Sequence, residues 1–308
     1  MPISTRVRSA LSALLWLLCV ATPLRAQTVD DGIMLAKGEL LTGTTYTHDS
    51  WDEYWEGTLK RSNGNIGAIT TQSVAWMGAY GITDRLNAIA MVPYLWTGAS
   101  QGVLQGQSGV QDLSLALKYR LLETPFTGAG SLRVILAATA GTPLSDYTPD
   151  FLPLSIGLAS SRFSGRSTLY FHADSGFFVN ATGAYTWRGN VTLDRPAYFT
   201  DGELHMSDEV QMPDVFDYSV STGYIKGAWQ VPISFSQQLT LGGGDIRRQD
   251  MPFVSNKMNL SRVDALVKYA LPWVRGLQVQ VAAAHIVSGR NVGQGTTLSA
   301  GFLYTIGF

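Results

Sequence analysis

Thr297-Leu298-Ser299-Ala300-Gly301-Phe302-Leu303-Tyr304-Thr305-Ile306-Gly307-Phe308 is the run that decides the fold. Leu298, Ala300, Phe302, Tyr304, Ile306 and Phe308 share one parity. Thr297, Ser299, Gly301, Thr305 and Gly307 share the other, with Leu303 the only large apolar intruder. Successive side chains of a strand point to opposite faces. The run is therefore a strand with one lipid-ready face and one small, polar face.

The same register recurs upstream. Leu113, Leu115, Leu117, Tyr119 and Leu121 alternate with Asp112, Ser114, Ala116, Lys118 and Arg120. Val263, Ala265, Val267 and Tyr269 alternate with Arg262, Asp264 and Lys268, and Leu277, Val279, Val281 and Ala283 with Gln278, Gln280 and Ala282. A soluble sandwich would bury the apolar face and wet the polar one, whereas a transmembrane barrel puts the leucines in lipid and the charges in the lumen. Periodicity alone does not separate the two.

The first residues separate them. Arg6 and Arg8 precede the apolar-and-small run 10–21, and Leu24-Arg25-Ala26 offers a cleavage site. This is the order of a secretory signal, too short to act as an anchor. The domain expectation is a cleaved signal peptide over 1–26 and a barrel over 27–308. Cleavage removes Cys19, the only cysteine, so no disulfide or thiolate site is expected. Of 22 lysines and arginines, Arg6, Arg8 and Arg25 go with it, leaving 19 against 23 acids, a net charge of −4. That is no footprint for nucleic acid. Charged residues make up 15% of the chain, against about 25% in soluble domains, yet no run after residue 26 reaches the ~18 apolar residues of a membrane helix. At the other end, Tyr304, Ile306 and Phe308 resemble the signal read by the outer-membrane assembly machinery.

Twelve strands are predicted: Gly38–Thr47, Ile69–Tyr80, Leu86–Trp96, Val110–Leu121, Ser131–Gly141, Ser167–His172, Phe177–Trp187, Phe216–Ile225, Val231–Gly242, Leu260–Ala270, Leu277–Val287 and Thr296–Phe308. Short and long connections alternate between them, as periplasmic turns and extracellular loops do. Backbone groups in hydrocarbon must all be paired, so the sheet has to close on itself. The expected fold is all-β: a closed antiparallel transmembrane barrel of about twelve strands, both termini periplasmic, with no room for a separate plug domain.

Several motifs have two readings. His48 and Ser50 lie two apart on one strand face, as base and nucleophile do in outer-membrane lipid hydrolases; they also suit a loop edge beside girdle aromatics. Trp51, Tyr54 and Trp55 are either a vestibule for aromatic solutes or rings at the headgroup boundary. The loop carrying Tyr147, Phe151 and Leu152 is apolar and stiffened by Pro143, Pro149 and Pro153. It either folds inward as a constriction or packs on another loop. Six acids between Arg188 and Val215 form a solvated loop or bridge divalent cations to lipopolysaccharide, without a calcium-loop spacing. The four histidines show no ligand spacing, so neither metal nor cofactor is expected.

Charge sets the register. Asp112, Lys118, Arg120, Arg133, Arg262, Asp264 and Lys268 oppose the leucines and valines. Each Lys or Arg turned to lipid at mid-membrane would cost ~2–4 kcal/mol. Five of them would exceed a typical domain stability of ~5–15 kcal/mol. They are expected to line the interior, either as a solute path or as a paired network that braces the barrel.

Tyr80-Gly-Ile-Thr-Asp-Arg-Leu86, Val92-Pro-Tyr94 and Gln111-Asp-Leu-Ser-Leu-Ala-Leu-Lys-Tyr-Arg-Leu121, with Gly141-Thr-Pro143 and Ala184-Tyr-Thr-Trp-Arg188, resemble the outer-membrane "MetA-pathway of phenol degradation" transporter-like family. The resemblance implies a bacterial outer-membrane channel for passive passage of small apolar or aromatic solutes, contacting lipid and lipopolysaccharide. It carries no catalytic residues. The alternatives are a lipid hydrolase using His48 and Ser50, and a non-conducting structural or adhesion barrel.

Overall fold

In the computed structural model, residues 27–248 and 250–307 are described. The expected signal peptide at 1–26 and the terminal Phe308 lie outside them. Twelve long strands form the wall: β1 Glu39–Trp51, β2 Ile69–Thr83, β3 Leu86–Ala99, β4 Asp112–Phe126, β5 Gly130–Pro143, β6 Arg162–Ala173, β7 Phe177–Arg188, β8 Val215–Lys226, β9 Trp229–Thr240, β10 Asn259–Ala270, β11 Leu277–Arg290 and β12 Thr296–Gly307. Each pairs antiparallel with its sequence neighbours, and β12 returns to β1 from Glu39↔Gly307 to Ser50↔Thr296, so the sheet is closed. Among the described residues no helix is long and apolar enough to cross a membrane.

All twelve predicted strands are present, most of them longer than expected. The largest difference is β6. Arg162 and Arg166 break up its apolar pattern, so the alternation was legible only from Ser167 onward; in the barrel both arginines take the inward parity. Trp51 ends β1 rather than lying in the loop.

The outer wall is apolar. Leu115, Leu117, Val220, Ile233, Val281, Leu298 and Phe302 are exposed there, the arrangement that lipid requires. Aromatic rings gather at both ends of this band. Tyr46–Trp96, Phe163–Trp187 and Tyr185–Trp187 pair at the long-loop end, and Phe177–Tyr224 and Trp229–Tyr269 at the short-turn end. Turns of two to six residues at 84–85, 127–129, 174–176, 227–228 and 271–276 face the loops 52–68, 100–111, 144–161, 189–214, 241–258 and 291–295.

Two irregularities matter for the lumen. A bulge between Arg120 and Leu122 puts Leu121 and Leu122 both on the exposed wall and pairs Glu123 with Arg133. Pro93 donates no backbone bond. Beside it the β3–β4 ladder ends at Met91↔Ser114, and the rest of β3 pairs with the short segment Ser108–Val110.

Candidate functional site

The inward parity carries the charges. Asp112, Lys118, Arg120, Arg133, Arg262, Asp264 and Lys268 all face the interior, and most are paired. Asp112 is buried and bound by Arg162 at 2.6 Å and by the Tyr147 hydroxyl at 2.8 Å. Arg120 and Arg133 share Glu123 at 2.6 and 2.7 Å, and Arg262 pairs with Asp264 at 2.7 Å.

Lys118 is different: it is fully buried and binds neither wall nor solvent. Its Nζ donates to Thr28 O at 2.7 Å, Asp31 Oδ1 at 2.8 Å and Ile33 O at 3.0 Å. Its three partners belong to residues 27–36, which lie inside the barrel. The wall holds this segment at other points too. Asn87 accepts from Leu35 N and Gln27 Nε2, both at 2.9 Å, and donates to Leu35 O at 3.1 Å. Asn180 donates to Asp30 O, Arg133 to Gly32 O, and Arg166 pairs with Asp30 at 2.9 Å. Leu35 seats in an interior apolar cluster with Leu41, Ala79, Ile89, Ala116 and Leu303, which accounts for the inward Leu303 in an otherwise polar row. These ten residues sit in the lumen as an internal plug. Gly32 permits it: a Cβ there would overlap the Tyr170 ring.

Two lumenal cavities flank the plug. One, of ≈ 300 Å³, lies between it and β6–β11. The other, of ≈ 450 Å³, opens toward the long loops and is lined by Asp112, Arg162, Arg166, Arg188 and Asp217. The sequence assigns no lumen role to Arg162, Arg166 or Asp217, and Arg188 stands there only as the start of a loop and the end of a family-like motif. Extending the β6 and β7 parity outward by a few residues places Arg162, Arg166 and Arg188, and Asp217 already lies within the predicted eighth strand on its inward parity.

The long loops close over this end in two groups. In the first, Tyr147 reaches inward to Asp112 while its oxygen also accepts from Ala159 N at 3.0 Å. Burial first, then the bond to Asp112, pushes the Tyr147 hydroxyl above the usual phenol range, so it stays a neutral donor. Gly157, Leu158 and Ser160 line the upper cavity. Leu152 and Leu158 also pack on Val191, Leu193, Tyr198, Val210, Met212, Phe253 and Val254. The apolar loop thus folds inward and packs on other loops at once. Phe151 is half-buried beside it. In the second group, Trp55 is buried, and Trp51 and Trp55 lie against Gly293 and Gly289, where any side chain would collide with a ring. Tyr54 bridges to Gly293. These aromatics brace the loop 291–295.

His48 and Ser50 share the outward face of β1, and no hydrogen bond joins them among the described residues. Gln72, opposite His48, accepts from Tyr46 instead. Tyr304 and Ile306 take the outward parity of β12. No group of three metal-ligating side chains occurs among the described residues.

Residues 61–302 match the family described as the MetA-pathway of phenol degradation. No curated protein matches the sequence. Among solved structures, an outer membrane channel from Pseudomonas putida F1 is similar at 18% identity and a TM-score of 0.71, over 91% of this chain and 100% of that one. The NanC porin aligns at 7% identity and TM-score 0.47, over 84% and 98%. The CymD monoaromatic hydrocarbon channel aligns at 11% and 0.42, over 89% of both chains. The first of these shares the fold.

Proposed function

The chain belongs to the MetA-pathway of phenol degradation family, and from that membership and the geometry of the lumen we propose that it is an outer-membrane channel for passive passage of small aromatic or apolar solutes. The observation that carries this reading is the pair of cavities on either side of the plug, ≈ 300 and ≈ 450 Å³, inside a closed barrel. Each is of the size that holds a small organic molecule. An eight-stranded barrel is filled by its own side chains, and a sixteen-stranded one is an open aqueous channel. At twelve strands the residual space is a molecule-sized path. The family description directs the solute class to phenols and their relatives. Outer-membrane lipid and lipopolysaccharide are the partners of the apolar wall and its aromatic ends, and the assembly machinery is the partner of the last strand. A signal peptide over 1–26 supplies the export this location needs.

Purified protein in planar bilayers should show discrete low-conductance steps in KCl. Phenol should interrupt that current at lower concentration than cyclohexanol, a non-aromatic alcohol of like size. Absence of both conductance and swelling of proteoliposomes in small sugars would refute the channel and leave a structural barrel.

A further inference from the structure

We propose that the ≈ 300 Å³ cavity beside the plug is a binding subsite for small aromatic carboxylates, with Lys268 as the anion-binding group. This deepens the channel reading and rests on it. Other charged groups lining the cavity are already neutralised: Asp30 by Arg166, Asp31 by Lys118, and Arg262 and Asp264 by each other. Lys268 also lines it and is 3% exposed. No described residue makes a hydrogen bond or ion pair to its ammonium.

A buried charge without a partner is costly, and the surroundings normally supply one. Here the wall withholds it on the side that faces the cavity. Two further polar atoms are left the same way. Gln230 and Asn180 line the cavity, each 4% exposed, and Gln230 Oε1 and Asn180 Oδ1 have no hydrogen-bond donor. Asn180 has its amide nitrogen committed to Asp30 O, and both unpartnered oxygens are closed to solvent. The rest of the lining includes Tyr170, Phe178 and Pro232, an apolar bed for a ring. One cation beside such a bed fits a single-ring solute that brings a carboxylate for Lys268, and an amide oxygen that turned toward the cavity would take a hydroxyl on its ring. A neutral phenol would leave the ammonium without a counter-charge.

The test is a calorimetric titration of the purified barrel in detergent with para-hydroxybenzoate and with its neutral isostere para-hydroxybenzamide. Binding in detergent needs no ion flow, so the result is independent of whether the channel reading stands. Wild type should bind the carboxylate at least about tenfold tighter than the amide, the scale of one hydrogen bond to a charged group. Lys268→Met should abolish that preference and Lys268→Arg should keep it, with folding of each variant checked by heat-modifiable gel migration. Equal affinity for the two ligands in wild type, a comparison that needs no variant, overturns the proposal. So does a carboxylate preference that survives in folded Lys268→Met.

Discussion

Replacing Lys118 by Met should loosen the plug without unfolding the barrel. Lys118 supplies three of the segment's polar anchors, to Thr28, Asp31 and Ile33. Six others remain: three at Asn87 and one each at Asn180, Arg133 and Arg166. Truncating one partner of a buried ion pair costs ~3–5 kcal/mol, because the other charge is left uncompensated. The six remaining bonds are worth roughly 0.5–1.5 kcal/mol each, about 3–9 kcal/mol together. Lys118→Met therefore removes between a third and a half of the docking energy and shifts the docked population by roughly two to three and a half decades. In a planar bilayer this should appear as flicker between the wild-type conductance and a larger one. Adding Asn87→Ala removes three more anchors and should make the larger level permanent. Gly32→Leu reaches the same end by another route, since its side chain would occupy the place of the Tyr170 ring. If all three variants, and a deletion of residues 28–35, conduct as wild type does, the path does not pass the plug and the reasoning fails.

Other tests address the loops and the register. Asn291 is buried at a φ of 56° and its side chain makes four hydrogen bonds, to Gly57 N, Ile246 N, Asp245 Oδ1 and Lys257 O. Asn291→Ala should cost about 3 kcal/mol or more from the stranded backbone groups and expose loops 52–68 and 241–258 to protease, with the β-sheet circular dichroism unchanged; resistance equal to wild type would refute the staple. Arg290, then Asn291, hold Asp245 below the usual carboxylate range. Its contribution to loop order is therefore full above about pH 4, the unfolded value, and is lost as pH falls through the depressed folded value. Protease sensitivity of these loops should rise only in acid, and Asp245→Asn should be sensitive at every pH. Cysteine at Arg262 should react with a membrane-impermeant thiol reagent in proteoliposomes and cysteine at Leu117 only with a lipid-soluble one. The reverse pattern would invert the register.

The sequence alone determined a barrel of about twelve strands, the order of pairing and the inward face of Asp112, Lys118, Arg120, Arg133, Arg262, Asp264 and Lys268. All of these follow from a period of two and the cost of placing Lys or Arg in lipid, which act residue by residue along the wall. Lys118 could be placed inside the barrel from its neighbours in sequence; what it holds there could not. Its partners lie 85 to 90 residues away, in a segment without alternation that reads as an ordinary lead-in to β1. Only closure of the barrel creates the interior in which Thr28, Asp31 and Ile33 find a buried ammonium. Trp55 likewise reads from sequence as a vestibule or a headgroup-boundary ring, and only the turn from β11 into loop 291–295 puts Gly289 and Gly293 beneath the two tryptophans. Lys268 is the sharpest case. Parity assigns it to the lumen with Asp264 and Arg262, yet those two pair with each other and leave it alone. Local pattern records which side of the wall a residue faces, whereas its partners depend on which distant strands and segments the closed barrel brings to the same depth.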